Sequence, residues 1–161
     1  MRAFVAAVLA ACMDGGDLPV AVDVVHQAVT LACTNSVGDP AELIAAIDDA
    51  NATSGPDVIE LAPGCVYSFT TVNNYFYGPN ALPVVASDLT IEGHGAIVER
   101  SGSTNMRLFY VASAAVAPSV EGHLTLREVT LLGGRAQGGN GYNGGGGGLG
   151  AGGAIFAHGD V

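Results

Sequence analysis

Four short segments of this chain share one pattern, in which a polar residue is followed by apolar residues that alternate with polar ones. Their starts are separated by 31, 35 and 37 residues. A repeat of this length predicts a solenoid built from strands. Since one coil cannot bury its apolar face alone, three or more coils must stack. The segments are Asp57–Leu61, Asp88–Glu92, His123–Arg127 and the bare start of a fourth, Asp160 with Val161.

The stretches that follow each segment are also strand-like, with period-two alternation or short apolar runs broken by Gly, Pro and Asn. We predict three strands and one variable loop per coil. No helical pattern separates the strands, which excludes a doubly wound α/β sheet. The predicted strands are residues 58–61, 65–70 and 82–85 in the first coil, 89–91, 96–99 and 107–111 in the second, and 124–126, 129–132 and 154–157 in the third.

One helical signature precedes the first coil. Asp39 and Pro40 are suited to cap and start the helix, and Gly55-Pro56 ends it. We predict that this helix caps the stack, because the first coil would otherwise present an open sheet edge and an apolar end. The apolar face of the helix consists of Leu43, Ile44 and Ile47.

The composition fits a single domain and argues against a polyanionic partner. The chain has 161 residues, of which 49% are hydrophobic, enough for a sizeable core. It contains no lysine, and five arginines against fifteen acidic residues give a net charge of −10. Because a phosphate backbone attracts basic surfaces, we expect no nucleic-acid binding.

The N-terminus has the layout of an export signal, a positive start followed by an apolar run over residues 3–11. The run is too short to cross a bilayer, which takes about 20 apolar residues. It leads into Cys12 through the sequence LAAC, which is similar to the lipobox of bacterial lipoproteins. We therefore expect lipid attachment at Cys12, with this anchor as the only membrane contact. An ordinary cleaved signal and a misassigned start are the alternatives.

These features divide the chain into three parts. Residues 1–12 form the signal or lipobox segment, residues 13–30 a linker, and residues 31–161 the cap and first coils of the solenoid.

Two further cysteines, Cys33 and Cys65, remain after Cys12. In an exported protein their simplest state is a disulfide, because the compartment is oxidising. Closing this loop would constrain the unfolded chain by about 3–4 kcal/mol in the entropic model. Two free buried thiols are the alternative. The cysteines and the four histidines lack the paired spacing of a zinc site.

Several strings in the coils resemble the opening of secreted right-handed parallel β-helix proteins of bacteria, which belong to the pectate-lyase-like fold group. They are also similar to polymorphic outer-membrane-protein repeats. The resemblance covers residues 31–161 and implies an all-β, right-handed parallel β-helix of about three coils with an N-terminal capping helix. In such proteins more coils follow, so we expect a chain that is truncated within the fourth coil. The strings are residues 61–67, 77–83, 87–93, 124–127 and 152–156.

Two features could carry chemistry, and for both the structural interpretation is favoured. The glycine-rich tract at residues 138–153 contains phosphate-loop-like spacings but no Gly-Lys-Ser/Thr, and it predicts a loop that leaves the solenoid. Glu60, Glu92 and Arg127 fall at equivalent positions of successive coils. Glycoside hydrolysis needs two carboxyl groups about 5–10 Å apart, but a salt-bridged exterior ladder explains these residues as well. We assign no catalytic, cofactor-binding or metal-binding residue and expect no cofactor.

Three consecutive aromatic residues, Tyr75, Phe76 and Tyr77, lie in the predicted loop of the first coil. They are candidates for stacking on sugar rings of a cell-surface glycan. The alternative is that the loop folds back to cover the flank of the solenoid.

These observations favour a non-catalytic, exported β-helix domain, at the cell surface as an outer-membrane lipoprotein or secreted, with a role in adhesion, envelope structure or glycan binding. The alternative is the N-terminal part of a polysaccharide lyase or glycoside hydrolase whose catalytic coils lie downstream. An autotransporter-like passenger is a third hypothesis. We also expect the open terminal coil to self-associate.

Overall fold

The computed structural model describes residues 27–114, 121–138, 150–159 and 161, and these contain one helix and twelve strands. The predicted signal with Cys12, most of the predicted linker, the middle of the glycine-rich tract and Asp160 lie outside the described residues. The elements are β1 (Gln27–Leu31), β2 (Cys33–Thr34), β3 (Val37–Gly38), α1 (Pro40–Ala52), β4 (Asp57–Leu61), β5 (Val66–Phe69), β6 (Val84–Val85), β7 (Asp88–Glu92), β8 (Ile97–Arg100), β9 (Phe109–Val111), β10 (His123–Arg127), β11 (Thr130–Leu132) and β12 (Ile155–Ala157).

The strands form three sheets in which almost all neighbours run parallel. The first sheet has the order β1-β4-β7-β10, the second β2-β3-β5-β8-β11 and the third β6-β9-β12. From β4 to β9 every strand pairs with the strand three places later in the chain. The exception to parallel pairing is the short antiparallel β2–β3 pair. The chain is therefore predominantly β, with parallel sheets and one short helix, as predicted.

Strand structure begins earlier than predicted. β1 starts at Gln27, inside the segment assigned to the linker, and it pairs with β4 along its whole length. Its sequence has the same polar-apolar alternation as the later segments, but it lies next to the long apolar stretch that precedes it. The short strands β2 and β3 were also missed, since two residues carry no period.

The register between β4 and β7 differs by one residue from the predicted repeat. The segment starts are 31 residues apart, whereas Asp57 pairs with Leu89, a separation of 89 − 57 = 32. This register places buried Ile59 beside buried Ile91. A shift of one residue would set an inward side chain of one strand against an outward one of the next. Burial therefore overrides the alignment of the two aspartates.

The inward side chains form one continuous core with a row from each sheet. Burial of these side chains stabilises the fold by about 25 cal/mol for each Å² of apolar surface removed from water. The rows run through the register partners Ile59, Ile91 and Leu126 in the first sheet, Tyr67, Val98 and Leu131 in the second, and Val85, Val111 and Ala157 in the third.

Helix α1 packs on this core and begins and ends as its sequence predicts. The Asp39 side chain accepts a hydrogen bond from the Ala41 N–H at 2.8 Å, and Pro40 occupies the first turn. The predicted residue Ile44 is only partly buried but still contacts the core. The buried face consists of Leu43, Ala46, Ile47 and Ala50.

The predicted disulfide between Cys33 and Cys65 is present, with 6.2 Å between the Cα atoms. It joins β2 to the turn before β5. The alternative of two free thiols is thereby wrong.

Near the end of α1, the Asn51 side chain completes the edge of the third sheet. Its Nδ2 donates to the Val84 carbonyl at 2.7 Å, and its Oδ1 accepts from the Ala86 N–H at 2.8 Å. In a parallel sheet, a residue bonds to the carbonyl before and the N–H after its register partner. The Asn51 amide therefore takes the place of a neighbouring strand opposite Val85.

Replacement of Asn51 by leucine should destabilise the fold markedly. The Val84 carbonyl of β6 and the Ala86 N–H just after β6, both partly buried, would lose their partners, and each unsatisfied group costs up to about 1–3 kcal/mol. Urea unfolding of Asn51→Leu should show a free energy of unfolding lower by about 2–4 kcal/mol. Asp48→Ala, at an exposed position of the same helix, is the control and should change it by less than about 0.5 kcal/mol. An unchanged midpoint for Asn51→Leu would contradict this role.

Candidate functional site

The first candidate is the row of charges on the outer face of the first sheet. Glu60 pairs with Glu92, and Glu92 with Arg127, so the three predicted positions are register neighbours. Arg127 Nη1 donates to Glu92 Oε1 at 2.6 Å. Glu60 Oε2 lies 2.6 Å from His94 Nε2, a partner that the sequence did not identify. Each carboxylate thus has a partner of opposite or potentially opposite charge.

This arrangement favours a surface ladder over an acid/base site. The Arg127 side chain is 63% exposed and that of His94 47%, so the pairs are solvated and each contributes little to stability. His94 occupies the turn after β7 with φ of 49°, in the left-handed region. The hydrogen bond to Glu60 raises the pKa of His94, and the negative charges of Glu60, Glu128 and Glu92 act in the same direction.

The second candidate is the outer face of the third sheet. Tyr110 of β9 and Phe156 of β12 are register partners, so their rings lie side by side on adjacent strands. A loop over residues 70–83, here called the aromatic loop, covers Tyr110 and leaves it 2% exposed. Phe76 stacks nearly parallel to Tyr110, with ring centroids 6.4 Å apart. Together with Tyr77, His158 and the adjoining Tyr75 of the loop, these residues form what we call the aromatic surface.

Tyr77 lies at the centre of the aromatic surface. Its ring centroid is 5.5 Å from that of Tyr110, 6.1 Å from that of Phe156 and 4.7 Å from that of His158. Aromatic pairs at such distances contribute about 0.5–1.5 kcal/mol each beyond their buried area. The loop is thus held against the sheet by ring contacts rather than by apolar burial alone.

Asn80 stabilises the aromatic loop through hydrogen bonds of its buried side chain. It is fully buried, and its Nδ2 lies within 2.9 Å of three oxygens: Asn74 Oδ1, the Phe76 carbonyl and the Gly78 carbonyl. An amide group has two hydrogens, so these acceptors share them. This side chain closes the loop tightly enough to place Tyr77 at φ of 52°.

Arg107 connects the aromatic loop to the segment that leads into β12. Its Nη1 donates to the Tyr77 carbonyl at 2.8 Å, and its Nε donates to the Ala151 carbonyl at 2.9 Å. The guanidinium carbon lies 4.8 Å from the centroid of the Phe156 ring, a cation–π distance. Burial lowers the pKa of Arg107. The cation therefore joins the loop to the segment before β12 and to the Phe156 ring within β12.

The three aromatic residues predicted at 75–77 do not all behave alike: two of them cover the sheet and one does not. Phe76 and Tyr77 pack on the sheet, as the covering interpretation expects, yet they remain 59% and 52% exposed. Tyr75 is 75% exposed and makes no ring contact with another described residue. Phe156, Tyr110 and His158 were not anticipated. Tyr110 and Phe156 fall in the predicted third strands of the second and third coils. An alignment of these two strands could have identified both residues.

The described parts of the chain include neither a group of three or more His, Cys, Asp or Glu side chains suited to a metal ion nor a helix long and apolar enough to cross a membrane. The described ends of the glycine-rich tract lie close together, since a Cβ on Gly150 would come within 3.1 Å of the Gly138 backbone nitrogen.

The chain was also compared with known proteins. No match was found. This holds for family models, for curated proteins and for solved structures. The outward aromatic residues and the paired charges therefore carry the functional argument by themselves.

The raised pKa of His94 should depend mainly on its hydrogen bond to Glu60. Since the folded-state pKa of His94 is raised, its contribution to stability is fully present below the ordinary histidine pKa and is lost as pH rises through the raised value. Glu60→Gln should return the His94 pKa toward its ordinary value, as measured by NMR titration of the imidazole carbon protons. Glu128→Gln removes a weaker influence and should move it less. A larger shift in Glu128→Gln would contradict the assignment.

Proposed function

We propose that this chain is a non-catalytic, exported domain whose three parallel sheets are the faces of a right-handed parallel β-helix, and that its aromatic surface binds a neutral glycan. The recurrence of every strand three places later supports a coil of three strands. The right hand is the one that parallel crossover connections take in almost all proteins.

Export is supported by the Cys33–Cys65 disulfide together with the signal-like N-terminus. Disulfides persist in oxidising compartments and are rare in the cytosol. We propose the bacterial cell surface as the location, with lipid attachment at Cys12 or release after cleavage of the signal. Mass spectrometry of membrane-fraction protein that showed an unmodified Cys12 would exclude the lipid anchor.

The observation that carries the binding proposal is the exposure of Tyr75, Phe76 and Tyr77 on a loop that is otherwise tightly held. Large aromatic rings left in water on an ordered support are typical of interaction sites. Their ordering before binding lowers the entropic cost of association. The net charge of −10 repels acidic polymers at long range, which favours a neutral ligand.

The charge ladder supports a non-catalytic assignment. A glycosidase uses one protonated and one free carboxyl group at the scissile bond. Here Glu92 is bonded to Arg127 and Glu60 to His94, on an exposed outer face. The alternative of an enzyme with downstream catalytic coils has no specific support in the described residues.

Glycan binding can be tested by calorimetry with two neutral probes, hexamers of glucose and of N-acetylglucosamine. We expect at least one to bind without being cleaved, and Tyr75→Ala and Phe76→Ala to weaken that binding about threefold to tenfold each. Leu132→Ala, an exposed apolar residue of the second sheet, is the matched control and should bind like the unaltered chain. Absence of binding at millimolar concentration, equal binding by all variants, or hydrolysis of a probe would each overturn the proposal.

We further propose that the chain self-associates through the edges of β10, β11 and β12, which end the three sheets among the described residues. Inward residues such as Leu126 and Leu131 are partly exposed there, whereas Ile91 and Val98 one coil earlier are fully buried. At the opposite end α1 and Asn51 cover the third sheet. Head-to-tail stacking is thereby obstructed, and a second copy that meets the same end is favoured.

Sedimentation equilibrium of the full chain should therefore show a dimer that dissociates on dilution. Leu126→Lys places a charge on the open end and should abolish the dimer. Leu132→Lys makes the same substitution on an exposed position of β11 and should leave it intact. A monomer at all concentrations, an open-ended series of larger species, or a dimer in Leu126→Lys would refute this interface.

A further inference from the structure

His158 is the residue of the aromatic surface whose ring nitrogens can form hydrogen bonds. It lies just after β12 and is exposed, and its backbone N–H donates to the Val111 carbonyl at 2.9 Å. Three rings meet its imidazole edge-on: Tyr77 at 4.7 Å, Phe156 at 4.9 Å and Tyr110 at 6.0 Å between centroids. These contacts restrict the imidazole to one orientation.

The hydroxyl of Tyr110 determines which nitrogen of His158 carries the hydrogen. Tyr110 is 2% exposed, and its hydroxyl lies 3.3 Å from His158 Nδ1, its one hydrogen-bond partner among the described residues. A phenol can donate or accept. If it accepted from an Nδ1–H, its own hydrogen would be left buried without a partner, at a cost of about 1–3 kcal/mol. The hydroxyl therefore donates to Nδ1.

Since Nδ1 is the acceptor, the neutral imidazole carries its hydrogen on Nε2. Nε2 has no hydrogen-bond partner in the part of the chain that the structure describes. The aromatic surface thus presents a single N–H donor whose direction is set by a buried tyrosine. Around this donor lie the rings of Tyr77 and Phe156, of which Tyr77 also carries a hydroxyl group.

We infer that the Nε2–H of His158 selects a sugar bearing an acetamido group, with Tyr110 as the positioning residue. The acetamido carbonyl is an oxygen acceptor that stands beside a methyl group. The carbonyl fits the N–H donor, and the methyl fits the adjacent Tyr77 and Phe156 rings. A hydroxyl group supplies the acceptor without the apolar neighbour. This inference rests on the proposed glycan binding and names the class of sugar that it prefers.

The first test concerns the tautomer and needs no ligand. Long-range proton–nitrogen correlation spectra of the labelled full chain, recorded where imidazole is neutral, distinguish protonated from unprotonated ring nitrogens. We expect His158 to carry its hydrogen on Nε2, and Tyr110→Phe to produce a mixture of both forms. A His158 protonated on Nδ1 in the unaltered chain, or an unchanged spectrum in Tyr110→Phe, would overturn the role of Tyr110.

The second test concerns the sugar, with the N-acetylglucosamine and glucose hexamers as probes. His158→Phe keeps an aromatic ring but removes the donor, and it should weaken binding of the N-acetylglucosamine hexamer about threefold to tenfold. Its effect on the glucose hexamer should stay below about twofold, and His158→Gln, which restores an N–H donor, should recover part of the loss. An equal effect of His158→Phe on both probes, or tighter binding of the glucose hexamer by the unaltered chain, would overturn the preference.

The two tests separate this inference from the proposed function. If neither hexamer binds, glycan binding fails while the tautomer result still decides the role of Tyr110. If both bind equally well and respond alike to every variant, glycan binding holds and the acetamido preference fails.

Discussion

The alternation of inward and outward side chains in parallel register is the constraint on which the rest of this structure depends. Ile59, Ile91 and Leu126 follow one another across the first sheet, because a register shifted by one residue would turn apolar side chains away from the core. Once the inward row is set, the outward row is set as well. Glu60, Glu92 and Arg127 are adjacent for this reason, and so are Tyr110 and Phe156. The surface features thus follow from the packing of the interior.

The outward side chains of the first and third sheets differ in their chemistry. On the first sheet the row is charged and solvated, and its carboxylates pair with Arg127 and with His94. On the third sheet the row is aromatic and is covered by a loop that Asn80 and Arg107 hold in place. Both of these residues bond to backbone carbonyls of the loop, so its position depends on these hydrogen bonds as well as on the ring contacts of Phe76 and Tyr77.

The sequence predicted the strand-rich fold, the helix, the disulfide and most strands because each has a local signature: period two, capping residues or paired cysteines. It did not predict β1, whose five residues continue a longer apolar stretch, nor the pairing of Asp57 with Leu89. The aromatic surface was only partly foreseen. Tyr75, Phe76 and Tyr77 are conspicuous as a triplet, but Phe156 and His158 join them through contacts between residues about 80 positions apart in the chain. Such contacts follow from register, which a pattern of polar and apolar residues specifies only to within a shift.

Asn51 has a consequence for how such a chain can grow by duplication. Among the described residues, the first and second sheets already contain β1 and β3 before the helix, whereas the third sheet begins at β6, against the Asn51 side chain. In the proposed β-helix, helix α1 therefore occupies the third side of the first described coil, where later coils have a strand. A coil built in this way can begin a stack but cannot be copied into its middle, because a helix there would interrupt the third sheet. Coils inserted after β6 carry no such restriction, so the proposed β-helix can lengthen on that side of α1 without interrupting a sheet.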